Sequence, residues 1–344
     1  MNKLYRNTTI TFVLLIIILL ILIVCDFFTG SAEISFLDFR NWVSGSLSTD
    51  KNTLIIIREF RVSRILIALL AGAALSVSGL LMQTIFHNPL AGPYVLGISS
   101  GAGLGVALLV LGVGGVLPTL SFGFSSGIIV FAAALGAALV MLLILLASLK
   151  IKDIFYILIL GILIGAAVSA IVNLLQFFAK DINVKSFVVW GMGSLYAVSF
   201  NEIIIIVPII LATIISIMFF SKSLNLLLLG EDYAQTSGVN IKALRIAVFV
   251  ATSILAGTIT AYCGPIGFIG VAAPHITRWI FRSANHFVLI PGSLIIGAQI
   301  MLVGDLISHI WLSKGILPIN AVTALIGIPF IIYLVLNTRK TSVK

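Results

Sequence analysis

The chain has 344 residues, of which 60% are hydrophobic and only 9% are charged, and its mean hydropathy is +1.25. Soluble domains carry about 25% charged residues, so this composition excludes a soluble globular protein and indicates an integral membrane protein. The formal net charge of +9 comes from basic residues scattered over loops, without the stripe of interleaved aromatic residues that nucleic-acid binding requires. We therefore expect no nucleic-acid partner.

Long apolar runs indicate membrane-spanning helices, because unpaired backbone groups are costly in hydrocarbon and these runs lack the alternation of barrel strands. At roughly 20 residues per span, the pattern predicts about ten helices in one polytopic membrane domain, residues 1–344. We expect both chain termini to lie in the cytoplasm. The predicted spans are 10–28, 65–85, 93–112, 124–148, 154–178, 201–220, 245–263, 268–281, 287–308 and 321–338.

The first span begins after Lys3 and Arg6, and residues 30–32 resemble a small-residue cleavage site. A cleaved signal peptide is therefore an alternative to a retained span. The apolar run at 10–24 is long for a signal peptide and favours the retained span. The two cysteines, Cys25 and Cys263, lie in or beside spans and offer no disulfide framework or metal spacing.

The loop before the second span is basic, which is unusual for a loop on the outer side of the membrane. Its basic residues are Arg40, Lys51, Arg58, Arg61 and Arg64. At the other end of the second span, Gln83 and Asn88 are polar. Two interpretations of this pair stay open: the side chains line a transport path, or they cap the helix.

A Gly-Pro break recurs half a chain apart, at Gly92-Pro93 and at Gly264-Pro265, each time just before a glycine-rich span. Five predicted spans separate the two breaks. An odd number of spans would make them face opposite sides of the membrane, as inverted-topology repeats do. Chance similarity is the alternative.

Small residues recur at a four-residue step, as Gly97, Gly101 and Gly105 and again as Gly161 and Gly165. Such steps allow helix backbones to approach closely. They indicate packing between helices, or faces that slide past one another during transport.

A polar island, residues 222–245, interrupts the apolar runs near the middle of the chain. It contains Glu231 and Asp232, the only adjacent acidic pair. A polar loop between two spans is most simply interpreted as a docking surface for a soluble partner.

The motifs of self-contained enzymes are absent from the sequence. It has no HExxH or GxSxG motif, and its acidic and histidine groups Glu202, Asp305 and His309 fall near span ends. This argues against an intramembrane protease and, less strongly, against a proton-driven carrier. It also lacks the GxxxxGK[ST] phosphate loop, so any ATP hydrolysis must come from another chain.

Several blocks of sequence in order resemble the FecCD-type permeases, the membrane subunits of ABC importers for iron siderophores, haem and vitamin B12. The blocks are Arg61-x-x-Arg64, residues 71–105 (AGAALSVSGLLMQTIFHNPLAGPYVLGISSGAGLG), 226–240 (LLLLGEDYAQTSGVN), 264–278 (GPIGFIGVAAPHITR), 291–298 (PGSLIIGA) and 323–330 (TALIGIPF). Together they extend over essentially the whole chain.

The resemblance implies a type II ABC importer permease fold with ten transmembrane helices in the bacterial cytoplasmic membrane. It implies a second permease subunit, which we expect to be another copy of this chain, two cytoplasmic ATPase subunits and an extracytoplasmic binding protein. ATP and Mg²⁺ would bind to the ATPase subunits, and this chain would bind no cofactor or metal. We expect a ferric siderophore as the cargo, with haem or vitamin B12 as the alternatives.

The resemblance also implies roles for individual residues. The loop between the sixth and seventh spans, residues 222–244, corresponds to the family's coupling loop, which seats in a groove of the ATPase. Its matching positions are Gly230, Glu231, Ala234, Gly238 and Val239. Gly230 suits a turn, and Glu231 with Asp232 suits the start of the helix that follows.

At the outer mouth, Arg58, Arg61 and Arg64 are expected to bind acidic residues of the binding protein, anchoring to lipid phosphates being the alternative. Lys150 and Lys152 lie where the family has its cytoplasmic constriction, and they are gate residues or topology anchors. Three positions depart from the family pattern: Ile316, Asn320 and His309. If His309 faces the mouth, docking becomes sensitive to pH.

Overall fold

The structure is a computed structural model that describes residues 2–30, 34–44, 51–113, 126–151, 153–309 and 315–341. Within these ranges the regular structure is helical, with no strand. The α-helices are α1 (Asn2–Phe28), α2 (Phe36–Val43), α3 (Lys51–Ile55), α4 (Ser63–Ile85), α5 (Ile98–Ala107), α6 (Ser126–Lys150), α7 (Ile154–Phe178), α8 (Asp181–Gly191), α9 (Phe200–Met218), α10 (Ser221–Leu227), α11 (Glu231–Thr236), α12 (Ile241–Cys263), α13 (Ile269–Phe281), α14 (His286–Ser308) and α15 (Ile319–Thr341). A π-helical segment, Ile56–Val62, joins α3 to α4, another, Leu108–Val113, extends α5, and a 3₁₀ turn, Pro93–Leu96, precedes α5.

Each predicted span coincides with a helix. In the described part of the chain, seven helices are long and apolar enough to cross a membrane, and two shorter apolar helices cover Ile98–Gly112 and Ile319–Tyr333. With α13, the short glycine-rich span, these make one helix for each of the ten predictions. The all-α membrane fold predicted from the sequence is confirmed.

The bounds of the second span and two further helices differ from the prediction. The helix of the second span is continuous from Asn52 to Ile85, although the prediction begins it at residue 65. Its first turns carry charged side chains, so a hydropathy criterion excludes them while the backbone stays helical. The helices α2 and α8 were not predicted, because they are too short or too polar to span a membrane; Ser35 and Asp38 start α2 with a capping box.

The helix α4 forms the centre of the bundle, and nearly all of its residues are buried. It packs along α14 and also contacts α12 and α13. A Cβ added at Gly72 would collide with the backbone at Gly297 of α14, and one added at Gly79 would collide with Gly270 of α13. The repeated glycines of α5 do the same, since Gly101 faces α6 backbone. Small residues therefore serve close helix packing in this conformation, and sliding during transport stays the second interpretation.

The two Gly-Pro breaks meet inside the bundle. The Tyr94 hydroxyl accepts a hydrogen bond from the backbone N–H of Ile266 at 3.3 Å, and Pro93 lies against Gly270. The helices that lead into the breaks, α4 and α12, are antiparallel: Phe86, just after α4, stacks on Phe249 in the first half of α12, with ring centroids 6.0 Å apart. Antiparallel helices are compatible with inverted-topology repeats, which stay a prediction from the sequence.

The bundle has two ends, which we call the loop end and the arginine end. At the loop end, Leu227 of α10 lies beside the C-terminus of α4, with its carbonyl oxygen 3.1 Å from Nε2 of His87. At the arginine end lies Arg64, at the start of α4. Because Leu317 N–H bonds to the Ser308 carbonyl, α15 begins at the arginine end and finishes at the loop end. Phe12, in the first half of α1, contacts Phe281, the last residue of α13. That end of α13 lies at the loop end, because Arg278 bonds to Gln83 near the end of α4, so α1 begins at the loop end as well.

Candidate functional site

The coupling loop, residues 222–244, folds into the short helices α10 and α11. Between and after them, Gly230 has a φ of +111° and Gly238 a φ of +89°, in the region that glycine adopts without strain. The helix α11 begins at Glu231 and carries Glu231 and Asp232 in its first turn, where negative charge interacts favourably with the helix dipole. The turn at Gly230 and the helix start after it are confirmed.

An ion pair fastens α11 to α12. Nη2 of Arg245 donates to Oε1 of Glu231 at 2.5 Å, and the arginine side chain is only 8% exposed. Ala234 on the same short helix is fully buried, and Val239 packs against the core of the bundle. These side chains hold the loop in shape rather than presenting it to a partner.

Other side chains of the loop point outward. Asp232 is exposed, and so are the large side chains of Tyr233 (53%) and Leu229 (66%). The loop therefore offers an acidic group beside apolar and aromatic surface. Exposed apolar surface rimmed by polar residues is typical of protein interaction sites.

At the arginine end, Arg64 is the centre of a buried charge cluster and is 2% exposed. Its Nε lies 2.8 Å from Oδ2 of Asp305, and its Nη2 lies 3.1 Å from Oδ1 of Asp26. Its Nη1 donates to the Tyr196 hydroxyl at 2.7 Å and lies 2.9 Å from Nε2 of His309. The cluster joins α1, α4, α14 and the segment after α8.

The hydrogen bonds of the cluster indicate that the imidazole of His309 is neutral. Its Nδ1 lies 2.6 Å from the Asp305 carbonyl oxygen, and because a carbonyl only accepts, Nδ1 carries a proton. Its Nε2 faces two donors, the Arg64 guanidinium and the Tyr196 hydroxyl, so Nε2 accepts. Burial raises the pKa of Tyr196, which keeps that hydroxyl protonated. His309 is buried and does not face an open mouth, so its position gives no support to pH-sensitive docking.

The structure separates the three arginines expected to dock a binding protein. Arg58 is accessible, with a side chain that is 58% exposed, and its guanidinium lies over the ring of Phe200 at 4.8 Å. Arg61 is buried and donates to the Thr29 carbonyl, and Arg64 is enclosed in its ion pairs. A soluble partner can touch only exposed groups, so in this conformation only Arg58 is open to direct contact.

Three of the four candidate gate or path residues, Gln83, Asn88 and Lys150, are described by the structure and make separate contacts. Gln83 is buried and joins α4 to α13: its Oε1 accepts from Nη1 of Arg278 at 2.5 Å. Asn88 caps a local turn, where its Oδ1 accepts from the Leu90 N–H at 2.9 Å. Lys150 is the exposed last residue of α6, and Lys152 lies outside the described residues.

The carboxylates that surround Arg64 were not predicted from the sequence. Asp305 and His309 were recognised as lying near a span end, whereas Asp26 and Tyr196 were not singled out. The available signal was the rarity of ionisable groups in apolar runs: Asp26 ends the first run and Asp305 lies close to the end of the ninth. Nothing in the sequence states that these residues meet.

Comparisons with known proteins give concordant similarities. A profile of the FecCD transport family matches residues 17–337. A hemin transport system permease protein of Yersinia pestis is 32% identical over 311 residues, covering 90% of this chain and 92% of the relative. A vitamin B12 import system permease protein of Klebsiella pneumoniae is 34% identical over 306 residues, covering 89% and 90%. A solved inward-facing conformation of a metal-chelate type ABC transporter superposes with a TM-score of 0.82 at 30% identity, covering 96% of this chain and 99% of that one.

Proposed function

Because the chain belongs to the FecCD transport family, we propose that it moves a metal chelate inward across the bacterial cytoplasmic membrane by alternating access, as the permease of an ATP-driven importer. The chain is a multi-pass membrane component of a transport system and not an enzyme. The observation that carries the proposal is the match to a hemin transport permease over 90% of the chain and to a vitamin B12 import permease over 89% of it.

A ferric siderophore is the cargo that we propose. The relatives are a hemin permease, a vitamin B12 permease and a metal-chelate type transporter. The common feature of these cargoes is a large chelated metal. Haem or vitamin B12 moved by the same mechanism is the alternative. An ion-coupled secondary carrier is a more distant alternative, which the scarcity of ionisable groups in the apolar runs disfavours.

We propose that the coupling loop docks on a cytoplasmic ABC ATPase, which binds ATP and Mg²⁺. Asp232 and the exposed apolar side chains beside it would form the contact. Gly230, Glu231, Ala234, Gly238 and Val239 would shape the loop from behind. Closure of the ATPase pair would then move the loop and switch access between the two sides of the membrane. In this orientation the loop end, and with it both chain termini, faces the cytoplasm.

The arginine end would then face outward and receive the extracytoplasmic binding protein. Arg58 is the residue proposed for direct pairing with its carboxylates, since arginine suits bidentate recognition. Arg61 and Arg64 would act from behind, by holding the mouth in shape. The buried cluster lies at this end, and the chain is similar to a transporter described as inward-facing.

A second copy of this chain is the partner subunit that we propose. The chain leaves many large apolar side chains exposed on α6, α7 and α15, and these need either lipid or a protein partner. Native mass spectrometry of the purified complex tests this: two copies of the chain per two ATPase subunits are expected. A single copy beside a different permease would contradict the homodimer and leave the importer mechanism in place.

Uptake into proteoliposomes tests the function directly. Vesicles holding this chain with its ATPase and binding protein are given radiolabelled ferric siderophore, haem or cobalamin, with and without ATP. Accumulation of ferric siderophore only with ATP is expected. Accumulation of one of the other two would replace the cargo, and ATP-independent uptake driven by an ion gradient would replace the mechanism.

A charge exchange tests the shape of the coupling loop. Glu231→Arg removes a charge-assisted hydrogen bond worth about 1.5 to 3 kcal/mol, with the partial exposure of Glu231 placing the loss near the lower value, and it sets two cations face to face. We expect strongly reduced uptake, with recovery in the double variant Glu231→Arg, Arg245→Glu. If the double variant transports no better than the single one, the ion pair is not what shapes the loop.

A further inference from the structure

One side chain of the coupling loop is tied directly to the start of α14. Oδ1 of Asn225, in α10, accepts from the backbone N–H of His286 at 2.8 Å and lies 2.7 Å from Nδ1 of that residue. Nδ2 of Asn225 donates to Oδ1 of Asn285 at 2.9 Å, and Asn285 is the N-cap of α14. Three hydrogen bonds therefore connect α10 to the first turn of α14.

His286 carries the connection on to α4. Its side chain is fully buried. Because the Asn225 oxygen only accepts, Nδ1 of His286 must be the donor to it. The other ring nitrogen, Nε2, lies 2.9 Å from Oγ1 of Thr84, a buried residue in the last turn of α4. Asn225, His286 and Thr84 thus form a continuous relay from the loop into the core.

The two helices that the relay reaches are packed as a single unit. Gly72 and Gly297 bring their backbones into contact, and Oγ of Ser76 donates to the carbonyl of Ser293 across the pair at 2.7 Å. At their far ends, α4 and α14 carry Arg64 and Asp305, joined at 2.8 Å. From Thr84 to Arg64 the helix spans about 30 Å at 1.5 Å per residue. A displacement of α10 would therefore move both ends of this pair.

We propose that Asn225, His286 and Thr84 are positioning residues that transmit movement of the coupling loop to the α4–α14 pair and through it to the arginine end. The proposal rests on the proposed function, because the movement comes from the ATPase. Buried hydrogen bonds suit this role because they are directional and because breaking one leaves a polar group without a partner in the core. Apolar contact alone would let α10 slide over the helix ends.

The test separates ATP hydrolysis from transport. In proteoliposomes, Asn225→Leu and Thr84→Val are expected to keep ATP hydrolysis within about twofold of wild type, while cargo moved per ATP falls about tenfold, which corresponds to about 1.4 kcal/mol. Asn225→Asp keeps both acceptor interactions with His286 but replaces the donation to Asn285 by two oxygen atoms facing each other, so only part of the coupling should return. Because Asn225 lies in a half-buried loop helix, its variants test the proposal even if Thr84→Val fails to fold.

Thr213→Val is the matched control. Oγ1 of Thr213, like that of Thr84, lies within hydrogen-bond distance of the carbonyl four residues earlier in its own helix, at 2.7 Å for Thr213. Thr213 is half-buried on α9, and its hydroxyl bonds only within that helix. Thr213→Val should leave the amount of cargo moved per ATP unchanged.

The outcomes distinguish the two proposals. The relay would be overturned, and the importer left intact, if Asn225→Leu moved as much cargo per ATP as the wild type. The same holds if its ATP hydrolysis fell in parallel with its uptake. No ATP-dependent uptake by the wild type would overturn the proposed function, and the relay with it.

Discussion

Arg64 shows why the type of a residue does not define its role. From the sequence, an arginine near the end of a span suggested docking to a binding protein, with lipid anchoring as the alternative. In the structure, carboxylates from α1 and α14 converge on it and exclude it from the surface. Buried ion pairs add little net stability, because desolvation offsets attraction, but the loss of one partner leaves an uncompensated charge. Arg64 is therefore expected to matter for folding before it matters for binding.

Replacing Arg64 by Met should lower stability by about 3 to 5 kcal/mol, because Asp26 and Asp305 would remain buried without their cation. The midpoint of thermal unfolding in detergent measures this. Arg58→Met is the control: its side chain is mostly exposed, so it should change stability by less than about 0.5 kcal/mol while weakening contact with the binding protein. An unchanged midpoint for Arg64→Met would contradict the assignment of the cluster.

At the scale of elements, glycine positions decide how closely the helices approach. The four-residue step of small residues predicts close packing without naming the partner helix. The structure supplies the partner of the α5 glycines, which is α6, and it places two further glycines, Gly72 and Gly79 of α4, against α14 and α13. Which helix packs against a given glycine depends on how helices distant in sequence are arranged beside one another, and a local sequence pattern does not contain that information.

Gly79→Ala should destabilise the bundle by about 1 to 3 kcal/mol, because its new methyl group would occupy the position of the Gly270 backbone. Gly103→Ala is matched to it, being a helical glycine with nothing within 4 Å of an added Cβ. That control should be neutral, or stabilising by up to about 1 kcal/mol through helix propensity. Thermal unfolding of both variants in one detergent makes the comparison, and equal midpoints would show that α4 and α13 are less closely packed than described.

At the scale of the whole molecule, the bundle has chemically different ends. The coupling loop lies at one end, and the closed arginine cluster lies at the other. Helix α1 begins at the loop end, and helix α15 finishes there. An importer needs this polarity, because its energy source and its cargo arrive from opposite sides of the membrane.

Cysteine labelling tests this polarity. In a background without Cys25 and Cys263, Lys222→Cys should react with a membrane-impermeant maleimide only in inverted vesicles, and Arg58→Cys only in intact spheroplasts. Both positions are exposed, so access depends on the side of the membrane. Labelling of the two from the same side would contradict the assigned topology.

Hydropathy and backbone preferences act over a few residues, so they were enough to predict the membrane class, the helical spans, the turn at Gly230 and the acidic start of α11. The packing of the helices was needed to show that Arg64 is buried, that Gln83 bonds to Arg278, and that Asn225 reaches Thr84 through His286. Those contacts join residues separated by as many as 245 positions, as Arg64 and His309 are. They arise from how whole helices stack, and the local properties that define a span do not specify that stacking.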